Sequence, residues 1–114
     1  MKDLIDQLDK VFESRVRLGI MSMLMVEEWV HYSDIKQALE LSDGNLATHL
    51  KLLRKHDYVE DRKEFVNRKP HTTYRATSEG RKAFADHLDA LESLIRRQAF
   101  GAKGDDSSNE NTST

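Results

Sequence analysis

Cysteine is absent from the 114-residue sequence. That excludes a disulfide framework, a thiolate metal site and a thiol nucleophile, and it agrees with a reducing cytoplasmic setting. Long apolar runs are also missing: none approaches the roughly 20 residues of a membrane span. The start, Met1 to Lys10, carries three aspartates and lacks the basic-then-apolar pattern of a secretory leader. A cytoplasmic protein with no membrane partner is expected. Proline occurs once, at Pro70. The length fits one domain, and a domain this small gains from burying more surface in a dimer.

The net charge of −2 is unhelpful for an anionic partner, but its distribution is not. Residues 1–43 hold 5 basic and 9 acidic side chains, and residues 83–114 hold 3 and 6. Residues 44–82 hold 10 basic and 5 acidic side chains, so the positive charge is gathered in the middle third. A polyanion would meet that part of the chain. A merely solvated basic face is the bland alternative.

Hydrophobic spacing predicts the elements. Asp3 to Asp9 reads as a short helix with Leu4, Ile5 and Leu8 on one side. Ser14 caps a second helix in which Val16, Ile20, Met21, Leu24 and Met25 recur at helical steps, ending at Glu27-Glu28. Trp29 to Tyr32 is a short strand. Ser33 is expected to cap a helix from Asp34 to Leu41. Leu41-Ser42-Asp43-Gly44 is a turn with a built-in cap, assigned to Asp43, and a helix follows to His56. Tyr58 to Val66 and Thr72 to Ala76 read as strands around a loop, Asn67 to His71. Thr77 or Ser78 caps a long helix ending near Gln98. The fold class is mainly α with a small β-hairpin: a winged helix-turn-helix over residues 1–98 with a long C-terminal dimerisation helix. Residues 99–114 form a polar tail expected to be disordered.

At about 100° per residue, Leu46, Leu50 and Leu53 fall on one stripe of the helix that ends at His56. The opposite face carries Gly44, Thr48, Lys51 and Lys55, flanked by Asn45, His49, Leu52 and Arg54. Such a face suits a major groove, where Thr and Asn bond base edges or phosphates and Lys reaches guanine or backbone oxygens. Gly44 permits close approach of a phosphate to the helix N-terminus, whereas the Asp43 carboxylate would repel one. At the hairpin tip, Arg68 and Lys69 put two charges beside Pro70, whose fixed φ stiffens the loop. Cationic tips of this kind lie along a phosphate backbone or enter a minor groove. Arg62 and Lys63 are offset by Glu60, Asp61 and Glu64.

These residues carry a resemblance. Ser14-Arg15-Val16-Arg17-Leu18-Gly19-Ile20-Met21, then Leu41-Ser42-Asp43-Gly44-Asn45-Leu46-Ala47-Thr48-His49-Leu50-Lys51-Leu52-Leu53, then Phe65-Val66-Asn67-Arg68-Lys69-Pro70-His71-Thr72-Thr73-Tyr74 resemble small winged-helix transcriptional regulators related to the MarR and ArsR repressors. The resemblance spans residues 4–97. It implies a dimer with the third helix in the major groove and the wing on the flanking backbone. Carried over by position, the recognition residues are Asn45, Thr48, His49 and Lys51, and the wing residues Arg68, Lys69 and His71. Similar proteins often have Arg where this chain has His71; a neutral imidazole weakens a phosphate contact near pH 7 and makes it pH-sensitive. ArsR-like sensors often bind metal through cysteines, or through carboxylates and histidines of the last helix. Here Asp86 and His87 are adjacent and point to different faces, and His87 and Glu92 lack one-face spacing. No metal and no cofactor are expected.

In the last helix Phe84, Leu88, Leu91 and Ile95 follow steps of 4, 3 and 4, a coiled-coil seam. Together with Leu4 and Leu8 they are the candidate homodimer interface. A two-fold dimer would set two recognition helices about 34–36 Å apart and ask for a near-palindromic site. Met21, Met23, Met25 and Trp29 either line an adaptable cavity for an unidentified small-molecule effector or simply fill the core. The five histidines are scattered, and no nucleophile or metal motif accompanies them, so an enzyme is not expected. The function expected is sequence-specific duplex-DNA binding in transcription regulation. The alternative is a winged helix used only for protein contacts; such domains tend to lose charge where this chain keeps Lys51, Arg54, Lys55, Arg68 and Lys69. RNA binding is disfavoured because no aromatic platform for stacked bases is evident.

Overall fold

The computed structural model describes residues 1–100; the expected polar tail lies, from residue 101, outside them. The chain forms two compact units, one made by Met1–Asp9 with the described residues from Ala85 onward, the other by Lys10–Phe84.

The larger unit opens with a 3-10 turn, Lys10–Glu13, that buries Val11 and Phe12. Helix α2, Arg15–Val26, starts where Ser14 Oγ accepts the Arg17 N–H at 3.2 Å, satisfying one of the donors a helix start leaves open. It sinks Ile20, Met21 and Leu24 completely. Strand β1, Val30–His31, runs straight into helix α3, Tyr32–Leu39. The helix N-cap is therefore His31, in extended geometry, and not Ser33, which lies inside the first turn. The helix ends two residues earlier than expected, because Glu40 turns into the left-handed region at φ 52° while the N–H groups of Glu40 and Leu41 close on Gln37 and Lys36 carbonyls.

Helix α4, Asp43–Lys55, begins at Ser42, whose Oγ accepts from the Asn45 N–H at 3.2 Å. Ser42, rather than Asp43, is the cap. Strands β2, Val59–Val66, and β3, Lys69–Ala76, then form a hairpin, and the sheet order is β1-β3-β2, all antiparallel. The register runs from Val59 opposite Ala76 to Val66 opposite Lys69. Only Asn67 and Arg68 lie outside the ladder, so the expected five-residue loop is a two-residue turn. Lys69, Pro70 and His71 belong to the strand. Both turn residues have positive φ, 51° and 67°, the geometry that matches strand twist in tight hairpins.

Helix α5, Ser78–Phe100, is started by Thr77, whose Oγ1 accepts the Gly80 N–H at 2.9 Å and donates to the Asp57 carbonyl at 2.6 Å. Gly80 lies so close to the backbone of Tyr58 that a Cβ would collide with its carbonyl oxygen. The core of this unit gathers Val11, Phe12, Ile20, Met21, Leu24, Val30, Ile35, Leu46, Leu50, Leu53, Val59, Ala76 and Phe84, with Met23 and Met25 packed on it. The methionines thus fill the core, the second of their two readings.

Phe84 corrects the expected dimer seam. It is 6% exposed and meets Phe12 edge-on, with centroids 5.2 Å apart. Its apolar area is already used within one chain. In the smaller unit, α1, Lys2–Asp6, precedes Asp9, whose N–H donates to Nδ1 of the buried His87 at 3.0 Å. Ala90 is buried on the same helix, Leu4, Leu8 and Leu91 are half-buried, and Leu88 and Ile95 remain exposed.

Candidate nucleic-acid interface

Leu46, Leu50 and Leu53 anchor α4 in the core, which turns Asn45, Ala47, Thr48, Lys51 and Lys55 to the outside. Gly44 shares that side; a Cβ there would meet no atom within 4 Å. Its bareness is not required by the chain's own packing and leaves room for something external. Thr48 Oγ1 donates to the Gly44 carbonyl at 2.8 Å, so its hydroxyl keeps acceptor capacity and its methyl for an outside contact.

Asp43 does not stand as a bare negative charge beside this face. Its Oδ1 lies 3.1 Å from Lys36 Nζ and 3.3 Å from the Tyr32 hydroxyl, which also donates to the Asp43 carbonyl at 3.1 Å. Burial first, and the Asp43 carboxylate second, push the Tyr32 phenol above its ordinary range. The two helices of the helix-turn-helix are thereby joined at their turn.

His49 is half-buried on the flank of α4. Its Nδ1 lies 3.0 Å from Arg17 Nη1, while Arg17 Nε donates to the Val11 carbonyl at 2.7 Å. Burial, then the Arg17 charge, lower the imidazole pKa below 6.5. A guanidinium donates only, so Nδ1 accepts, and the neutral ring keeps its proton on Nε2 as a donor.

The hairpin has two unlike faces. Glu60, Arg62 and His71 lie on one. There Arg62 and Arg75 both stack on Trp29, at 4.3 and 4.8 Å from the ring centroid, and Arg75 also bonds Glu28 and Glu60. Trp29 is thus a cation-stacking plate that holds the wing. Its expected alternatives were cavity or core, and the strand pairing that brings the arginines to it is not visible in linear spacing. His71 sits on this same face, with its ring 6.2 Å from His31. The other face carries Asp61, bonded to Arg54 of α4 at 3.2 Å, and Tyr74, whose ring is 6.4 Å from Tyr32. That face is turned toward the helix-turn-helix.

Several basic side chains are consumed by these contacts: Lys36, Arg54, Arg62 and Arg75 have carboxylate partners. Lys51 and Lys55 on α4, and Lys63, Arg68 and Lys69 on the hairpin, have no ion-pair partner among the described residues. Acidic neighbours surround Lys63 in the linear sequence, but the period of two along β2 places Glu60 and Glu64 on the opposite face. Among the described residues no group of three metal-ligating side chains gathers.

A short helix, a tight turn, a second helix with an unpaired cationic face and an adjoining hairpin with a cationic tip define a winged helix-turn-helix. The chain belongs to the winged helix DNA-binding domain family, whose model matches residues 16–95. It is 35% identical over 87 residues to an uncharacterized protein of Methanocaldococcus jannaschii, covering 76% of this chain and 95% of that one. Among solved structures it is similar to a transcriptional regulator homologue from Pyrococcus horikoshii OT3, with a TM-score of 0.78 and 28% identity over 86% of this chain and 98% of the other. A Bacillus cereus protein described as a MarR-like transcription regulator shares the fold, with a TM-score of 0.59 and 18% identity over 86% and 73%. No described helix is long and apolar enough to cross a membrane.

Proposed function

We propose that the protein is a sequence-specific duplex-DNA-binding transcriptional regulator that acts as a homodimer, with α4 in the major groove and the hairpin on the flanking backbone. The observation that carries this is the division of its cations. Lys51, Lys55, Lys63, Arg68 and Lys69, on the helix and hairpin that adjoin, have no ion-pair partner among the described residues, while Lys36, Arg54, Arg62 and Arg75 of the same region are spent on structure. Asn45 and Thr48 supply base-reading groups on α4, and His49 adds a ring donor. The winged helix DNA-binding domain family and the regulator homologue of Pyrococcus horikoshii support the same reading. Two copies pairing through Leu88 and Ile95, beside Leu4, Leu8 and Leu91, would read a near-palindromic site with half-sites about 34 Å apart.

The test is selection of fragments from a random duplex pool by the purified protein, followed by titration of the enriched site at several salt concentrations. Replacing Arg68 and Lys69 together by Ala is expected to weaken binding to every sequence and flatten the salt slope by about 2. Asn45→Ala or Thr48→Ala is expected to change which sites are preferred. Absence of enrichment at low salt would reject DNA binding in favour of a protein-contact module.

A further inference from the structure

Phe65 is the least expected surface residue of the hairpin. It is 76% exposed, and its cross-strand partner on β3 is the exposed Pro70. Side chains two residues apart on a strand share a face, so Phe65 and Pro70 continue the row that begins with Val59 and Ala76 in the core and passes through Asp61, opposite Tyr74, and Lys63, opposite Thr72. This is the face that Asp61 ties to Arg54 of α4. The apolar pair therefore stands about 13 Å further out along the strand than Asp61, turned to the side of the recognition helix, and is the last pair of this face before the Asn67-Arg68 turn.

We propose that Phe65, seconded by Pro70, is an apolar DNA-contact residue that seats against deoxyribose walls of the minor groove beside the wing tip. This rests on the DNA-binding reading above and deepens it. With Phe65 76% exposed and its cross-strand partner Pro70 exposed too, packing within the hairpin covers only a small part of the ring. Its surroundings select the occupant. Lys63 lies one strand position inward on the same face, and Arg68 and Lys69 follow at the tip, all without ion-pair partners among the described residues. A second copy docking face to face would bring these cations together. A minor groove offers apolar sugar edges between two rows of phosphate, which complements both the ring and its cationic rim. Apolar side chains are used in minor grooves by other proteins, which drive them between base steps; contact with the sugar walls asks for no unstacking and reads no base identity.

The two kinds of wing contact respond differently to salt. A cation on a phosphate releases counterions and sets the slope of affinity against salt; a ring on a sugar releases none. The experiment is a salt titration of a selected duplex with the full chain carrying Phe65→Ser, Phe65→Leu or Arg68→Ala, with thermal unfolding of each in parallel. Phe65→Ser is expected to weaken binding about tenfold at every salt concentration with the slope unchanged. Phe65→Leu, which keeps apolar area, is expected to restore most of that loss, and the minor-groove ligand distamycin is expected to compete with the wild type more effectively than with Phe65→Ser. Arg68→Ala is expected to flatten the slope by about 1.

Equal binding by the wild type and Phe65→Ser would overturn the inference while leaving the DNA-binding reading intact. So would a Phe65→Ser variant whose defect is a change of oligomeric state in sedimentation. No binding by the wild type at low salt would instead remove the reading on which the inference rests.

Discussion

Arg17 Nη1 lies 3.0 Å from Nδ1 of His49, so a side chain of α2 fixes the ring orientation of a residue on α4. Arg17 is itself held by the Val11 carbonyl. The pair makes His49 a neutral donor by construction: the guanidinium needs an acceptor, and a protonated imidazole has none to give.

The first prediction concerns pH. Burial and then Arg17 lower the His49 pKa in the folded protein below its ordinary 6.5. Above the ordinary value neither state holds the proton, and the pair's contribution to stability is fully present. As pH falls below about 6.5, the unfolded chain takes up a proton that the folded chain refuses, so stability drops until the folded pKa is passed. Unfolding measured at pH 7.5 and 5.5 is expected to show a loss that His49→Gln reduces, because Gln can accept from Arg17 without titrating. Nitrogen shifts of the ring are expected to report the Nε2–H form at neutral pH; a protonated Nδ1 would refute the arrangement.

Arg68 occupies a position that favours glycine. In a two-residue hairpin turn the second residue needs positive φ, and here it is 67°, which costs a residue that carries a Cβ about 1–2 kcal/mol. Asn67, at 51°, tolerates the geometry through its short polar side chain. Arg68→Gly is therefore expected to raise stability by about 0.5–1 kcal/mol, net of glycine's own entropy. The same change should weaken DNA binding and flatten its salt slope by about 1. A denaturant midpoint that rises while affinity falls would mark Arg68 as kept for contact. A midpoint that falls would mean the side chain supports the hairpin itself.

Ser14 stands before an amphipathic run and is a cap, because capping is a local matter of one hydroxyl and the N–H three residues on; the cap expected at Asp43 falls one residue earlier, on Ser42, by the same local bond. Ser33 carries the same signal and is not a cap, since β1 flows into α3 without a break and the pairing of His31 with Thr73 decides where the helix begins. The loop at the wing tip is shorter than the sequence suggests, because its turn lacks the Asn-Gly signature and uses Arg68 instead. The stripe Phe84, Leu88, Leu91, Ile95 shows which face of α5 is apolar, but a period cannot say what covers it. Phe12, remote in sequence, covers Phe84. The exposed positions of α4 were legible from the wheel; the pairing of Lys36 with Asp43, of Arg17 with His49 and of Arg54 with Asp61 was not, because each joins elements whose contact is set by tertiary packing.

Two glycines offer a contrast between packing and contact. Gly80→Ala would drive a methyl group into the Tyr58 carbonyl, which the Thr77 N–H already bonds at 3.0 Å. Backbone cannot swing aside as a side chain does, so a loss of about 1–3 kcal/mol is expected in urea unfolding. Gly44→Ala meets open space in the first turn of α4. It is expected to leave stability unchanged or raise it by up to about 1 kcal/mol, while lowering DNA affinity by crowding the helix N-terminus. If Gly44→Ala bound DNA as the wild type does, close approach at that end of α4 would be refuted.

The proposed homodimer can be tested only at positions that are not already part of the fold. Phe84 is unsuitable: it packs on Phe12, and a charge there would unfold the larger unit rather than separate two chains. Leu88 and Ile95 are 45% and 66% exposed, seven residues apart on α5 and hence nearly on one line of the helix. Leu91 between them is half-buried. Leu88→Asp with Ile95→Asp removes two exposed apolar groups and sets like charges facing each other across a two-fold interface. The double variant is expected to keep the helical circular dichroism of the wild type and to sediment as a monomer. Its affinity for a two-half-site duplex is expected to fall at least tenfold, because each half-site must then bind without the second copy to hold it. Affinity for a single half-site should be nearly unchanged. A dimer that survives the double change would overturn this seam, and a wild-type monomer at the concentrations that saturate DNA would overturn the homodimer itself.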